Sequence, residues 1–477
     1  VLLRSHPDGV ARTVIVRDRL IPAAALLMAV LLASQMAERP FLISGLVMGS
    51  ALLALTLLRP LLVVGLMLLL GPIDLSFLTG KSLFTGLGGL DMNGIRLIGI
   101  VVSFLGIVAV DRRVLKHALS VHGRWYLAFL LFITATLVYS TARIDGARLL
   151  LKLSYPFLVF VLVQGVARTR ADLEWLSRWA LAGAITISLI NPAYVLAGGY
   201  DVDATGRLRI QGVGAHENPF SFYLLIILLF VLSRYLARGK GWYLLLCAAL
   251  GGWLVMTLTR ITFAAAIVAL LGVALYDALI TRRYRTVVIA TLVGVGLAIP
   301  LAPIALERSL GYTPGLGELV SLVSNPVDLY YKINWQGRQL IWPVALNAFL
   351  SSPLVGIGLG GSTGILMSRW GGALGGVLHN EYLRLLTDTG LIGTGLFALA
   401  IAVWAGALIK VGREGGGPVR EYALPAFAGI ISWAVLSITD NVFDYYAAFT
   451  QYIGFFCAAA LAWGELPEGP EARSGYD

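Results

Sequence analysis

The chain has 477 residues, of which 58% are hydrophobic and only 13% charged, with 54 glycines and a formal net charge of +10. Such apolar content matches about 14 membrane-crossing helices of about 20 residues each, and it excludes a soluble protein of this length. The two cysteines, Cys247 and Cys457, lie inside apolar runs, which excludes a disulfide framework and a cysteine-based metal site.

Residues 1–19 are polar and basic with no cleavage-site pattern, which predicts a cytoplasmic tail rather than a removed signal peptide. Spans follow at 20–37, 41–58, 61–77, 93–110, 125–139, 147–166, 175–197, 220–236, 242–258, 261–280 and 287–302, and after a long interval at 391–410, 422–438 and 446–463. Runs such as 61–70, 125–139 and 264–276 have neither charge nor period-two alternation, so they read as helix buried in lipid or among other helices. The expected fold is all-α, a polytopic membrane bundle of about 12 to 14 spans with one large outer loop carrying short surface helices. It divides into transmembrane helices within 1–302, the loop at 303–390, transmembrane helices within 391–464, and a Glu-, Pro- and Gly-rich tail at 465–477 that reads as disordered. No internal repeat is visible, which argues against a transporter built from matching halves.

With the N-terminus inside, alternate connections carry Arg4, Arg12, Arg17 and Arg19; Arg59; Arg112, Arg113, Lys116 and Arg124; Arg168 and Arg170; Arg234, Arg238 and Lys240; Arg282, Arg283 and Arg285; and Lys410, Arg413 and Arg420. Cytoplasmic loops are enriched in Lys and Arg. The basic excess therefore reports topology and contact with anionic membrane lipids, with no nucleic acid partner. Both termini are then cytoplasmic, and 198–218 and 303–390 face outward.

In the long outer loop, Trp342, Ala345, Leu346 and Phe349 share one helical face, which predicts an amphipathic helix along the membrane surface. Pro343 is expected in its first turn, which puts Arg338 at or just before the helix start, near the headgroups. Gly356, Gly358 and Gly361 fit G-x-G-x-x-G, but no strand precedes them, so they predict a flexible turn and not a dinucleotide site. His379 and Asn380 precede Tyr382, Leu383, Leu386 and a stop at Gly390, a short helix with Asn380 near its N-cap. A His beside a helix N-terminus tends to stay neutral, leaving a ring nitrogen to accept a proton; the same residue also reads as a surface His bonded to loop backbone.

The other outer loop, which also carries Arg207, Arg209 and Gln211, ends in His216-Glu217-Asn218-Pro219. A metal site made from His216, Glu217 and His379 lacks supporting spacing. Asp201 and Asp203 form a D-x-D, the pair nucleotide-sugar transferases use for a divalent cation, here in a short exported loop without flanking strands. Arg260 falls between two tightly connected helices at the outer boundary, where a cation is either functional or snorkels to the headgroups. Lys152, a few residues into the sixth span, has the same two readings, and Asp440 and Asp444, which bound the last outer loop, are either functional or merely solvated. Arg209, Arg260 and Arg338 thus gather beside His379 at the depth of lipid phosphates. Guanidinium forks match phosphate oxygens, so an anionic headgroup, above all a pyrophosphate, is the ligand this suits.

At these residues the chain resembles the O-antigen ligase and O-antigen polymerase superfamily of bacterial membrane glycosyltransferases. The likeness rests on Arg338, Trp342 and Pro353-Leu354-Val355-Gly356-Ile357-Gly358; on His379-Asn380 with Leu383, followed by Asp388-Thr389-Gly390-Leu391-Ile392-Gly393; on Thr259-Arg260; and on Arg209-Ile210-Gln211-Gly212 with Asn218-Pro219. Residues 1–200 match in hydropathy only. The resemblance implies an inner-membrane enzyme whose active site faces the periplasm and whose donor is a glycan on undecaprenyl pyrophosphate. It implies an inverting transfer without metal or other cofactor, to another lipid-linked glycan in a polymerase or to lipid A-core in a ligase. A count of about 14 spans favours the polymerase. Carried onto this chain, Arg260 and Arg338 would hold the pyrophosphate, Arg209 would be a weaker ligand, and His379 would be the base or would orient the acceptor. Lys152, Gln211, Asn380 and Tyr382 are further candidates. A lipid-linked oligosaccharide flippase, the reading from another class, should show mid-membrane charges in paired halves.

Overall fold

The computed structural model describes residues 53–73, 92–281 and 337–468, less 113, 203–205, 207, 213–215 and 372–375, together with scattered positions between 307 and 333. The spans expected at 20–37 and 287–302, most of 41–58, Asp203, Arg207 and most of the tail lie outside the described residues.

The described elements are α1 (Pro60–Leu70), α2 (Met92–Val110), α3 (Val114–Ala118), α4 (Arg124–Thr136), α5 (Arg143–Val166), α6 (Arg170–Leu196), the strands β1 (Tyr200–Val202) and β2 (Leu208–Ile210), α7 (Glu217–Arg238), α8 (Gly241–Met256), α9 (Arg260–Thr281), α10 (Arg338–Ser351), α11 (Gly361–Trp370), α12 (Glu381–Glu414), α13 (Gly416–Leu436) and α14 (Thr450–Trp463). By length and composition α5, α6, α7, α9, α12 and α13 can cross a membrane, and shorter apolar helices lie in α1, α2, α4, α8 and α14. The protein is an all-α polytopic membrane bundle.

Uniform apolarity, rather than a stripe, marks the central helix: α14 is buried from Thr450 to Ala462. Small residues let its neighbours close on it. A Cβ on Gly454 would strike the Pro156 carbonyl of α5, and one on Gly429 of α13 would strike Ile226 and Ile453. Around this centre α5 lies on α14, α14 on α13, and α13 on α7 and α9, while α12 bridges α4 and α13.

Chain direction alternates, so the connections at 137–142, 197–216, 257–259, 352–380 and 437–449 gather at one end, the site end, and those at 167–169, 239–240 and 415 at the far end. At the far end the Arg234 side chain is 1% exposed, 2.9 Å from Glu174 and 2.9 Å from Glu421. Arg238 reaches the same carboxylates at 2.6 and 2.8 Å, which ties α6, α7 and α13 together. Two cations on two anions leave no uncompensated buried charge, which would otherwise cost several kcal/mol.

Four local expectations are corrected. Asp201 does lie on a strand, because β1 pairs antiparallel with β2 and places Asp201 opposite Arg209. Pro343 lies inside α10, beyond its first turn, since that helix begins at Arg338 itself. The α10 face is also split: Ile341 and Ala345 are buried with Leu366 and Leu378 in a small second core that Trp342 joins, while Leu340, Leu346 and Leu350 on the other side are exposed. Finally, the glycine run at 356–361 is no flexible turn. The Ile357 and Gly358 N–H groups donate to the carbonyls of Thr387 (2.9 Å) and Asp388 (3.1 Å), and the Asp388 carboxylate accepts from the N–H groups of Gly360 (2.9 Å) and Ser362 (2.7 Å). Glycine is needed there for approach: a Cβ on Gly358 would overlap Ser140, and one on Gly360 would overlap Gly146 of α5.

Candidate functional site

Two segments interlock at the site end: the run 378–384 entering α12, and the arm 437–449 between α13 and α14, which folds as a 3-10 turn over Val442–Tyr445. The Glu381 N–H donates to the Ser437 carbonyl at 2.9 Å, the Asn380 N–H to Asn441 Oδ1 at 3.0 Å, and the Phe443 N–H to Glu381 Oε2 at 3.3 Å. As the sequence predicts, Asn380 caps α12, its Oδ1 accepting from the Leu383 N–H at 2.8 Å. The first stretch of α12 ends at Gly390, whose φ of 64° and ψ of −167° separate it from the apolar remainder.

His379 precedes that cap with φ 51°, a left-handed conformation that costs a non-glycine residue about 1–3 kcal/mol and persists only where the surroundings impose it. Its Nδ1 stands 3.5 Å from Asp440 Oδ1. The imidazole is 38% exposed and the Asp440 side chain 2%, so a buried carboxylate backs an accessible ring. Asp440 also accepts from Asn218 Nδ2 at 2.7 Å, from the Asn441 N–H at 2.8 Å and from the Tyr445 hydroxyl at 3.4 Å. Burial, then the charge of Asp440, pushes the Tyr445 phenol far above its ordinary value, so it stays a donor. Arg338 opens α10 and donates through Nη2 to the Thr439 carbonyl at 3.1 Å, next to Asp440. Burial lowers the Arg338 pKa from the usual guanidinium value against the opposing pull of Asp440.

Behind this pair, Asp444 Oδ1 is 2.7 Å from Lys152 Nζ and its Oδ2 is 3.1 Å from Arg384 Nη1. Burial would raise its pKa, but Arg384 and Lys152 outweigh it and hold the carboxyl below the ordinary carboxylate value. Arg384 forks onto Glu381 at 2.8 and 2.6 Å.

Asn218 leads from Asp440 to a second group. His216 caps α7, its Nδ1 accepting from the Asn218 N–H at 3.2 Å, and Ser221 and Thr262 share a hydroxyl bond of 2.8 Å that joins the first turns of α7 and α9. Arg209 pairs with Glu217 and donates through Nε to the Thr257 carbonyl at 3.1 Å. That contact holds the turn 257–259, where Leu258 has φ 51°, and the turn delivers Arg260 as the first residue of α9. The helices α7, α9, α10 and α12 thus all begin at the site end and direct their positive dipole ends there.

Of the sequence candidates, His379 and Arg338 come together around Asp440, and Arg209 and Arg260 share the neighbouring turn. Lys152 is neither snorkelling nor solitary but bound to Asp444. Gln211 is half-buried directly after β2. Tyr382 is a packing residue, its hydroxyl donating to the Ala434 carbonyl at 2.7 Å and its ring edge-on to Trp433. Of the three residues weighed for a metal, His216 Nδ1 stands 3.7 Å from Glu217 Oε2, while His379 faces Asp440. Sequence reasoning left Asp440 and Asp444 between a functional and a solvated reading, quoted Asn218 only within a motif, and gave no role to Glu381 or Arg384. Two signals were available: carboxylates four apart between apolar runs, and a Glu and Arg at i, i+3 in the first turn of a helix.

Residues 242–398 match the family described as O-antigen ligase. Over that stretch the chain is similar to that family. None of the curated proteins compared matches the chain. The matched stretch runs from α8 into α12 and holds Arg260, Arg338, His379, Glu381 and Arg384. It bears out, over that stretch, the superfamily read from those motifs. Lys152, Arg209, Asn218, Asp440 and Asp444 lie outside the O-antigen ligase match, and the fold brings them to it.

Proposed function

We propose that the chain is a bacterial inner-membrane glycosyltransferase that moves a glycan from undecaprenyl pyrophosphate to an acceptor hydroxyl at its periplasmic face. His379 takes the acceptor proton, the oxygen attacks the anomeric carbon, and the bond from that carbon to the pyrophosphate breaks with inversion. Arg260 and Arg338 neutralise the charge that develops on the leaving pyrophosphate, which is released as undecaprenyl pyrophosphate. Asp440 holds the imidazole in place, as a carboxylate does behind a catalytic His. Arg209 acts through the Thr257 turn that presents Arg260. The observation that carries the reading is the exposed His379 backed by buried Asp440, with Arg338 bonded to the adjacent Thr439 carbonyl. The distribution of basic connections, which leaves this end on the side poor in Lys and Arg, supports its facing the periplasm.

The acceptor we propose is a second lipid-linked glycan, which makes the enzyme a polymerase of O-antigen or exopolysaccharide. The family description favours the other reading, a ligase acting on lipid A-core. Purified chain in nanodiscs, given undecaprenyl-pyrophosphate glycan with and without lipid A-core, separates them. Lipid-linked glycans of increasing length support the polymerase, and glycan on lipid A-core supports the ligase. His379→Ala should abolish either product; full turnover in that variant would overturn the proposed chemistry.

A further inference from the structure

Four charged side chains from three elements form a closed group beside the site: Lys152 on α5, Glu381 and Arg384 on α12, and Asp444 in the 3-10 turn. By formal charge it holds two cations and two carboxylates. The side chains of Glu381 and Arg384 are 0% and 6% exposed, and those of Asp444 and Lys152 are 23% and 32% exposed. Apolar residues of similar volume often stabilise as well as a buried ionic group or better, so packing alone gives little reason for this one. It supplies direction: salt bridges fix the arm 437–449 against two helices that it does not continue.

Asp444 is joined to the catalytic pair through the backbone. Its N–H donates to the Asn441 carbonyl at 3.0 Å, and the Asn441 N–H donates to Asp440 Oδ1 at 2.8 Å, the oxygen that faces His379. On the other side, Glu381 holds the Phe443 N–H and follows His379 by two residues. The arm carrying Asp440 and the segment carrying His379 are therefore both fastened to this charge group. The separation it controls is 3.5 Å, at the outer limit of a hydrogen bond, where a displacement of a few tenths of an ångström decides whether the bond exists.

We infer that Lys152 and Arg384, acting through Asp444, are positioning residues for the His379–Asp440 pair. The inference rests on the catalytic reading of His379 given above. Lys152 touches neither His379 nor Asp440 and is the most exposed member, which makes it the most informative to change.

The test uses the full chain in nanodiscs with undecaprenyl-pyrophosphate glycan, recording kcat, donor KM and the unfolding temperature. Lys152→Met should lower kcat about tenfold, the effect of losing one weak charge-assisted bond, with donor KM changed less than about twofold. Lys152→Arg should restore most of the rate. Asp444→Asn should act in the same direction, and the double variant Lys152→Met/Asp444→Asn should be no slower than Asp444→Asn alone, as expected for residues acting through one contact. Should Asp444→Asn fail to fold, Lys152→Met and Lys152→Arg carry the test. Wild-type kcat in Lys152→Met with an inactive His379→Ala would overturn the positioning role alone. Equal losses in Lys152→Met and Lys152→Arg that follow the folded fraction would do the same. Wild-type turnover in His379→Ala would overturn the catalytic reading and this role with it.

Discussion

Replacing Asp440 by Asn preserves shape and removes one charge, which makes it a sharp probe of the site. Asn218 can rotate its amide to meet the new side chain, and an Asn carbonyl can still accept from the Asn441 N–H. The variant should therefore fold. What it loses is the anion 3.5 Å from His379 Nδ1. Two unit charges at that separation attract by about 5 kcal/mol at an effective dielectric near 20, a ceiling that the 38% exposure of the imidazole brings down through solvent screening. A hydrogen bond to a charged group contributes about 1.5–3 kcal/mol, and the long separation puts this one toward the lower figure. Asp440→Asn should accordingly reduce kcat by about 10- to 100-fold while leaving donor KM nearly unchanged. Single-turnover glycan transfer, followed by gel mobility of the lipid-linked product and paired with thermal unfolding, measures it. A kcat within twofold of wild type in a normally folded variant, or a loss confined to KM, would refute the idea that Asp440 acts through the imidazole.

Arg260→Ala and Arg338→Ala should each cut turnover by about 10²-fold or more, with Lys recovering part of it, because an ammonium supplies charge without the fork; wild-type rates in either alanine variant would remove that residue from the pyrophosphate. Gly390→Ala should lower the unfolding temperature by several degrees: its φ and ψ belong to a region essentially reserved for glycine, and a Cβ there would strike the Leu354 carbonyl. An unchanged melting curve would mean that the kink adapts. Asp201→Ala, on an exposed strand opposite Arg209, should keep most of the activity, and EDTA should not inhibit the wild type. Inhibition reversed by Mg²⁺ or Mn²⁺ would restore the D-x-D to consideration.

What could be seen in advance was whatever depends on one stretch of chain. Span positions follow from apolar runs, and the described helices fall on them: α5 on 147–166, α7 on 220–236, α13 on 422–438. The Asn380 cap and the break at Gly390 follow from single-residue preferences. The α10 face was misjudged because that helix is apolar on both sides, so periodicity could not tell the buried Ala345 from the exposed Leu346. The site's supporting charges stayed hidden for another reason. Lys152 lies 292 residues from Asp444 and Asn218 lies 222 from Asp440, and no local pattern encodes partners so far apart. A lone carboxylate near the end of a span looks the same whether it faces water or a buried lysine.

The far-end charge group has a consequence for how the chain is made. Arg238 and Glu174 are 64 residues apart, while Arg238 and Glu421 are 183 apart. As the protein emerges from the ribosome, Arg234 and Arg238 therefore share a single carboxylate until α13 has been synthesised. During that interval the end of α7 carries surplus positive charge, the signal that keeps a helix end on the cytoplasmic side. Once Glu421 arrives the surplus disappears: Arg234 becomes buried, and Arg238 stays partly exposed while paired to both carboxylates. Under the proposed orientation, the residues that orient α7 while it is being inserted are the ones that later fasten α6, α7 and α13 to each other.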